Sequence, residues 1–391
     1  MTFLPANDPN YFDHAATSPM CDAAVEELSQ WRGVALNPSS IHQTGQGARR
    51  LLEEAREQLA ALLGLPPSQV VFTGSATESA NLALRGTLSP QSNAPRRRRV
   101  VLSAVIEHSC IVETLDTLVH RGEIEVRPMP VTESGHALPH WEEDGPLDMV
   151  CLMHANNETG VLQDTVAARA TATTAACPLL CDASQSFGKV PCANLGADLL
   201  IAASHKIGGP PGIALLAGPG IRALSPQVTG GGQEDGLRGG TPAVALARAF
   251  AAAAQAAHDA MERETARLQG LEQLLFERLT AEGVRWQLNG GGARLPGFLN
   301  LSVEGLEAVE TVIALDAAGF CLSPGSACST GVVAVSPVLT AMFPGDEARA
   351  KGGIRLSMGP ANTAQSVIGL AAELGRIARR RESSRGTLPA R

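Results

Sequence analysis

Short apolar runs alternate with helix-length segments through the first two-thirds of the chain, and this alternation constrains the fold more than any other feature. Residues 70–72, 100–103, 149–153, 178–181, 199–202 and 212–216 read as buried strands, because each is a brief continuous hydrophobic run. Between them, the spacing predicts an amphipathic helix over 48–63, with Leu51, Leu52, Ala55, Leu59 and Leu62 on one stripe. Further helices are expected over 109–120 and 164–176. Strand–helix alternation implies a mostly parallel sheet covered on both faces, with ligands at the carboxyl ends of its strands. A long Ala-rich helix is expected from Thr241 to about Ala281, with Pro242 at its first position. After Gly290-Gly291-Gly292 the pattern changes to a smaller α+β segment.

Composition narrows the classes of function. The formal net charge of −8 gives the whole molecule no electrostatic footprint for duplex nucleic acid. A single Tyr and 3% aromatics give no platform on which bases could stack. The first residues hold neither a basic nor an apolar leader region, and the most apolar stretch, 243–257, is broken by Arg248 and Gln255. The expectation is a cytoplasmic protein with no membrane contact. Eight cysteines without a CxxC pair fit free thiols in a reducing compartment, most of them small buried hydrophobes. The basic run 96–99 reads as a solvated loop, and the tail from Arg376 as a frayed terminus.

Three strand ends carry polar groups. After the first strand comes Thr73-Gly74-Ser75-Ala76-Thr77-Glu78 and then a helical pattern, so free N–H groups at a helix start could cradle an anion; capping alone explains the same residues. Asp182 follows the strand at 178–181, where a helix cap is the plain alternative. Lys206 follows His205 before the Gly208-Gly209 turn, where a surface lysine is the plain alternative. Taken together, an acid and a lysine on separate strand ends beside an anion cradle form the arrangement that holds pyridoxal phosphate. The lysine binds the aldehyde and the acid keeps the pyridinium nitrogen protonated.

With these residues in view, the chain resembles the cysteine desulfurases of the NifS/IscS type, in the class-V aminotransferase superfamily. The resemblance runs from Tyr11-Phe12-Asp13-His14-Ala15-Ala16-Thr17 to Ile354-Arg355-Leu356-Ser357-Met358-Gly359. It takes in Asn37-Pro38-Ser39-Ser40-Ile41-His42, Glu107-His108, His154-Ala155-Asn156-Asn157-Glu158, Arg238-Gly239-Gly240-Thr241 and Gly325-Ser326-Ala327-Cys328-Ser329. It implies a pyridoxal-phosphate transferase fold of type I: a large domain (15–258) with a mostly parallel seven-stranded sheet, and a small C-terminal α+β domain (1–14 and 259–391).

The resemblance also implies roles. Lys206 would bind the cofactor aldehyde, Asp182 its ring nitrogen and Gln185 its phenolic oxygen. His108 would stack on the ring and move protons. Ala76, Thr77, Ser204 and His205 would hold the phosphate, joined by Thr241 from a neighbouring subunit in a homodimer with shared sites. Asn156 would lie beside the ring near the substrate carboxylate, with Asn37 and Arg355 also on the substrate. Cys328 would be the nucleophile: its Gly- and Ser-rich surroundings suit a mobile loop better than a buried hydrophobe, and no second ligand stands at metal spacing. The implied sulfurtransferase reaction takes L-cysteine through a ketimine to L-alanine and a persulfide on Cys328. The sulfur then passes to an acceptor protein for iron–sulfur cluster assembly or tRNA thiolation.

The chain departs from the common pattern in places. Ala203 stands where many relatives have Ser, Pro211 where they have Lys, and Val-Val-Ala-Val follows Gly331. A selenocysteine lyase or cysteine-sulfinate desulfinase is the neighbouring alternative. A related transaminase has no need of Cys328. A non-catalytic sulfur-relay partner is the alternative of a different class.

Overall fold

A computed structural model describes residues 7–88, 97–141, 145–325 and 335–386. In chain order it forms α1 (Asp22–Gln30), α2 (Gln43–Leu63), β1 (Val70–Thr73), α3 (Ala76–Leu88), β2 (Arg99–Ala104), α4 (Ser109–His120) and β3 (Ile124–Met129). These lead into β4 (Met149–Cys151), α5 (Thr165–Thr174), β5 (Leu179–Asp182), β6 (Leu199–Ala203), β7 (Ala214–Ala217) and the long α6 (Val244–Ala281). The rest comprises β8 (Trp286–Leu288), β9 (Phe298–Val303), α7 (Ala308–Ala317), α8 (Pro337–Met342), α9 (Glu347–Gly352), β10 (Gly353–Ser357) and α10 (Ala364–Gly386).

Seven strands form one sheet in the order β1-β7-β6-β5-β4-β2-β3. β2, β3, β4, β5 and β6 run parallel, while β7 is antiparallel to both β6 and β1. β1 therefore points the same way as β6, and the carboxyl ends of β1, β2, β4, β5 and β6 share one edge of the sheet. β1, β4, β5, β6 and β7 are buried at every position, as helices on both faces require. On one side α2 and α6 supply Leu52, Leu59, Phe250 and Ala254 against Phe72, Ala202 and Leu215. On the other, α3 and α4 supply Leu84, Ile111 and Leu115 against Val101, Leu180 and Ile201.

A three-stranded antiparallel sheet, β10-β9-β8, forms the second unit. Its core joins Leu271, Leu275 and Leu279 of α6 to Leu299, Leu301, Leu356, Val367 and Leu370. Phe12 sits in this same core, and Tyr11 and Asp13 bridge to Cys321 and Ser357. One helix thus contributes Phe250 to the large core and Leu275 to the small one.

Three expectations need correction. α6 begins at Val244 with Ala243 as its N-cap, so Pro242 is not its first helical residue; a turn from Val244 N–H to the Pro242 carbonyl precedes the helix. The tail does not fray at Arg376: α10 continues to Gly386, because Ile377 and Ala378 pack on the small core and Arg379 reaches Glu282. The basic run is not a solvated loop throughout, since Arg97 makes a bidentate pair with Asp148 and Arg99 opens β2. The apolar pattern predicts no strand at the edge position of β3, for its Pro128 and exposed Arg127 break that pattern.

Candidate active site

Lys206 ends a short 3-10 turn, Ser204–Lys206, directly after β6. Its Nζ donates to the carbonyls of Ala15 (2.6 Å) and Ala16 (2.8 Å), and Ala15 N–H donates to Ser357 Oγ of β10 (2.8 Å). The lysine therefore stands where the two sheets meet. A cavity of about 320 Å³ opens beside it, walled by His14, Lys189, Ser357 and the Ala-rich face of α6.

Next along the same edge, Asp182 closes β5. It is buried, and its Oδ1 accepts Ser184 N–H at 2.8 Å. Gln185 is fixed one turn on: its Nε2 donates to the Ala15 carbonyl (2.9 Å), and its Oε1 faces Lys189 Nζ at 3.5 Å. Burial, then the positive charges of Lys206 and Arg355, pull the Lys189 amine down to about 7. His205 is held near 4 by burial, with Lys206 and Lys189 adding to the effect.

His108 caps α4 with its ring: Nδ1 accepts Cys110 N–H at 3.2 Å and lies 3.1 Å from Cys110 Sγ. An imidazole accepting at Nδ1 carries its neutral-form proton on Nε2. Asn156, beyond β4, is fully buried. Its Oδ1 accepts Glu158 N–H, Thr159 N–H and the Thr159 hydroxyl, while its Nδ2 donates to the Ile106 carbonyl and contacts Met153 Sδ. A ligand near it competes only with that weak thioether contact.

Ala76 and Thr77 open α3 after β1, with Thr77 exposed. Glu78 turns back to accept Gly74 N–H (2.8 Å) and pairs with Arg238, which braces the turn at the start of α3. Ser204 differs from the others. Its hydroxyl is buried and turned to Gly209, where a Cβ would lie only 2.1 Å away.

On the small unit, Arg355 of β10 is 4% exposed. Its Nη1 donates to the Asn157 carbonyl (3.0 Å) and its Nη2 to Asp13 Oδ1 (2.7 Å), while the buried Nε has no partner. Ser323 N–H and carbonyl pair with Arg355, so the chain leading to Cys328 starts beside this guanidinium. Cys328 itself lies outside the described residues. Three peptide units join it to Gly325, so its Cα stays within roughly 11 Å of the Gly325 Cα.

Buried polar atoms without a partner include Ser184 Oγ, Ser204 Oγ, Asn157 Oδ1, Ser323 Oγ, Arg355 Nε and His14 Nε2, on or next to these segments, besides Thr87 Oγ1 and Arg294 Nε elsewhere. Buried polar groups are normally paired, so such atoms on the segments of Lys206, Lys189 and Arg355 suit a polar anionic ligand. Asn37 and Thr241 are not brought to this pocket. Both are exposed, and their neighbours Pro38, Ser39 and Pro242 line a separate cavity of about 620 Å³.

Sequence reasoning met Lys189 and Glu107 only within matched segments and assigned neither a role. Glu107 is buried, accepts Met153 N–H at 2.6 Å, and is pushed up to about 8 by burial and then by Asp182. Its position just before His108 was the one available signal. Among the described residues, no group of His, Cys, Asp and Glu is placed to hold a metal, and no helix is long and apolar enough to cross a membrane.

A lysine and an acid on neighbouring strand ends, on a doubly covered sheet joined to a small α+β unit, define a class, and comparison with known families gives the same one. The Aminotransferase class-V model matches residues 10–370, and the chain belongs to this family, whose enzymes depend on pyridoxal phosphate. Within it the chain falls in the branch of NifS/IscS-type cysteine desulfurases. It is 39% identical over 363 residues to an IscS-like cysteine desulfurase of Mycobacterium tuberculosis, covering 89% of this chain and 91% of that protein. It is 34% identical over 376 residues to the cysteine desulfurase IscS of Salmonella typhi, covering 92% and 90%. Among solved structures, a NifS-like protein superposes with a TM-score of 0.85 at 28% identity, covering 94% of this chain and 99% of that one. The structure described as SspA in complex with cysteine superposes with a TM-score of 0.77 at 29% identity, covering 90% and 100%.

Proposed function

We propose that the protein is a cysteine desulfurase, a sulfurtransferase that takes sulfur from L-cysteine, leaves L-alanine, and holds the sulfur as a persulfide on Cys328. The observation that carries this reading is a run of contacts between the two units: Lys206 Nζ donates to the Ala15 carbonyl, Ala15 N–H donates to Ser357 Oγ of β10, and Arg355 of that strand pairs with Ser323, shortly before Cys328 in the chain. Pyridoxal phosphate, when bound, supplies an electron sink that makes the substrate's carbon–sulfur bond labile. Lys206 would anchor it, the start of α3 with Ala76, Thr77 and His205 would receive its phosphate, Asp182 would pair with its ring nitrogen and Gln185 would hydrogen-bond its phenolic oxygen.

Arg355 orients the substrate carboxylate, its unpartnered Nε offering a donor that the carboxylate can take. Lys206 Nζ holds and returns the α-proton, and its carbonyl partners Ala15 and Ala16 fix the direction of the amine. His108 presents a proton at Nε2. Cys328 Sγ attacks the substrate sulfur as thiolate; a thiol of ordinary pKa is a few per cent ionised at neutral pH, so proton removal assists it. A large unit over 15–258 and a small unit from 1–14 with 259–391 close on the pocket. Asn37 and Thr241 serve the partner's site in a homodimer, and the persulfide passes to an acceptor protein of iron–sulfur assembly or tRNA thiolation.

Cys328→Ser tests the reading. The loaded variant is expected to keep its visible cofactor absorption and its spectral response to cysteine while forming neither persulfide nor stoichiometric alanine. Wild-type alanine production by that variant would refute the role.

A further inference from the structure

The three donor nitrogens of Arg355 are not equally engaged. Nη1 donates to the Asn157 carbonyl (3.0 Å) and Nη2 to Asp13 Oδ1 (2.7 Å), while Nε is buried and has no partner. The Asp13 contact is built into the junction of the two units, across 342 positions of sequence. The chain around Asp13 runs beside β10: Ser357 N–H donates to the Phe12 carbonyl (2.9 Å), and Ala15 N–H donates to Ser357 Oγ (2.8 Å). The Asp13 carbonyl accepts Ala16 N–H (3.0 Å) and the Tyr11 hydroxyl (3.1 Å), so its backbone is fixed from both sides. The pair is largely withdrawn from water, with the Arg355 and Asp13 side chains 5% and 20% exposed.

A carboxylate in this place acts on any acid that Arg355 receives. It leaves Nε as the unengaged donor, and it balances the guanidinium charge before a ligand arrives. A ligand with one carboxylate gains the contact at Nε against that single neighbour. Cysteine is such a ligand, since its thiol is mostly neutral near pH 7. A ligand with a second acidic group on its β-carbon carries that charge only roughly 4 Å from the first, because two carbon atoms separate them. It meets Asp13 with no spare guanidinium charge, in surroundings that screen repulsion poorly. The other carboxyl that interacts with Arg355, Glu158, is raised above its ordinary range by burial and accepts the Ser336 hydroxyl, so Asp13 is the principal counter-ion. We propose that Asp13 is a specificity-determining residue: as the fixed counter-ion of Arg355, it admits amino acids with a single carboxylate and rejects those with a second acidic group on the β-carbon, cysteine sulfinate included. The inference rests on Arg355 holding the substrate carboxylate. Lys189 and Lys206 add positive charge near Arg355, but they are common to every variant below, so the comparison isolates Asp13.

The test takes dissociation constants from the spectral response of the loaded enzyme to L-alanine, L-aspartate and ethylamine. Aspartate is alanine with a carboxylate on the β-carbon, and ethylamine is alanine without its carboxylate. The wild type is expected to bind alanine roughly tenfold or more tighter than aspartate. Asp13→Asn keeps an acceptor for Nη2 and removes the charge, Asp13→Ser does so with a shorter side chain, and Asp13→Glu keeps the charge. The two neutral variants are expected to tighten alanine about twofold to threefold and aspartate by roughly tenfold or more, so the preference for alanine shrinks. Asp13→Glu is expected to hold that preference within about twofold of the wild type. A preference unchanged in both Asp13→Asn and Asp13→Ser overturns the proposal, and so does a wild type that binds aspartate as tightly as alanine. Loss of the preference in Asp13→Glu also overturns it, because shape rather than charge is then the cause. Ethylamine keeps the two readings apart: if it binds the wild type as tightly as alanine, Arg355 holds no carboxylate, and the underlying reading fails rather than the role of Asp13 alone.

Discussion

Single residues at the strand ends set the pH behaviour of this protein. Glu107 has a folded value of about 8, raised chiefly by burial and then by Asp182. Cys151 and Cys181 lie in the same buried group. A carboxyl whose folded value exceeds its unfolded one stabilises fully below the unfolded value, near 4.5, and that contribution disappears as pH rises through 8. His14 and His154 act on the other side. Burial holds both near 4, so their contribution is present above about 6.5 and is lost as pH falls toward 4. Glu107→Gln keeps an acceptor for Met153 N–H and removes the titration. Denaturant unfolding at pH 5 and pH 8 is expected to show a gain over the wild type of a few kcal/mol at pH 8 and much less at pH 5. An equal gain at both values would mean that the carboxyl is already ionised in the folded protein. Lys206 and Asp182 were legible in the sequence because each follows a recognisable apolar strand. The hydrogen bond between Ser336 and Glu158 was not, since the two lie 178 residues apart and only the fold joins them.

Elements matter here chiefly through how loops are tied to them. The Gly-rich stretch before α6 is held by Glu234, whose carboxylate takes Arg56 Nη1 (2.7 Å) and Nη2 (2.9 Å) from α2 and Phe72 N–H (2.8 Å) from β1. Glu234 and Asp235 both adopt left-handed backbone conformations, with φ of 50° and 55°, a cost this anchoring offsets. Removing one partner of a buried pair leaves the other charge uncompensated. Glu234→Ala is therefore expected to lose about 3–5 kcal/mol in urea unfolding. Arg56→Met combined with it is expected to lose less than the sum of the two single changes. Additive losses would show that the pair is not coupled. Strands β1, β2, β4, β5, β6 and β7 were readable because burial on both faces leaves short continuous apolar runs. β3 was not: an edge strand with Pro128 inside it carries little of that signal. The start of α6 and the reach of α10 into the tail differ from the sequence reading for a similar reason, since they depend on a preceding turn and on packing against the small core, while α6 ends at Ala281 as expected.

At the scale of the whole molecule, one chain does not complete the site the family pattern implies. Lys206 follows β6, Asp182 closes β5, His108 caps α4 and Arg355 lies on β10 of the small unit, whereas Asn37 and Thr241 are exposed beside a separate cavity. Two copies related by a twofold axis would exchange such residues, each lending the other what its own pocket lacks. The exchange predicts subunit complementation. Lys206→Ala and Thr241→Ala are each expected to cripple both sites of their own homodimer. In a mixed dimer of the two variants, one site draws both altered residues. The other draws Lys206 from one subunit and Thr241 from its partner, both intact. A purified mixed dimer is therefore expected to regain about half of wild-type alanine formation, since one of two sites is whole. Were Thr241 to act within its own chain, each site would keep one altered residue and nothing would return. The mixed dimer thus decides whether the 620 Å³ cavity edge belongs to the reaction through a second copy.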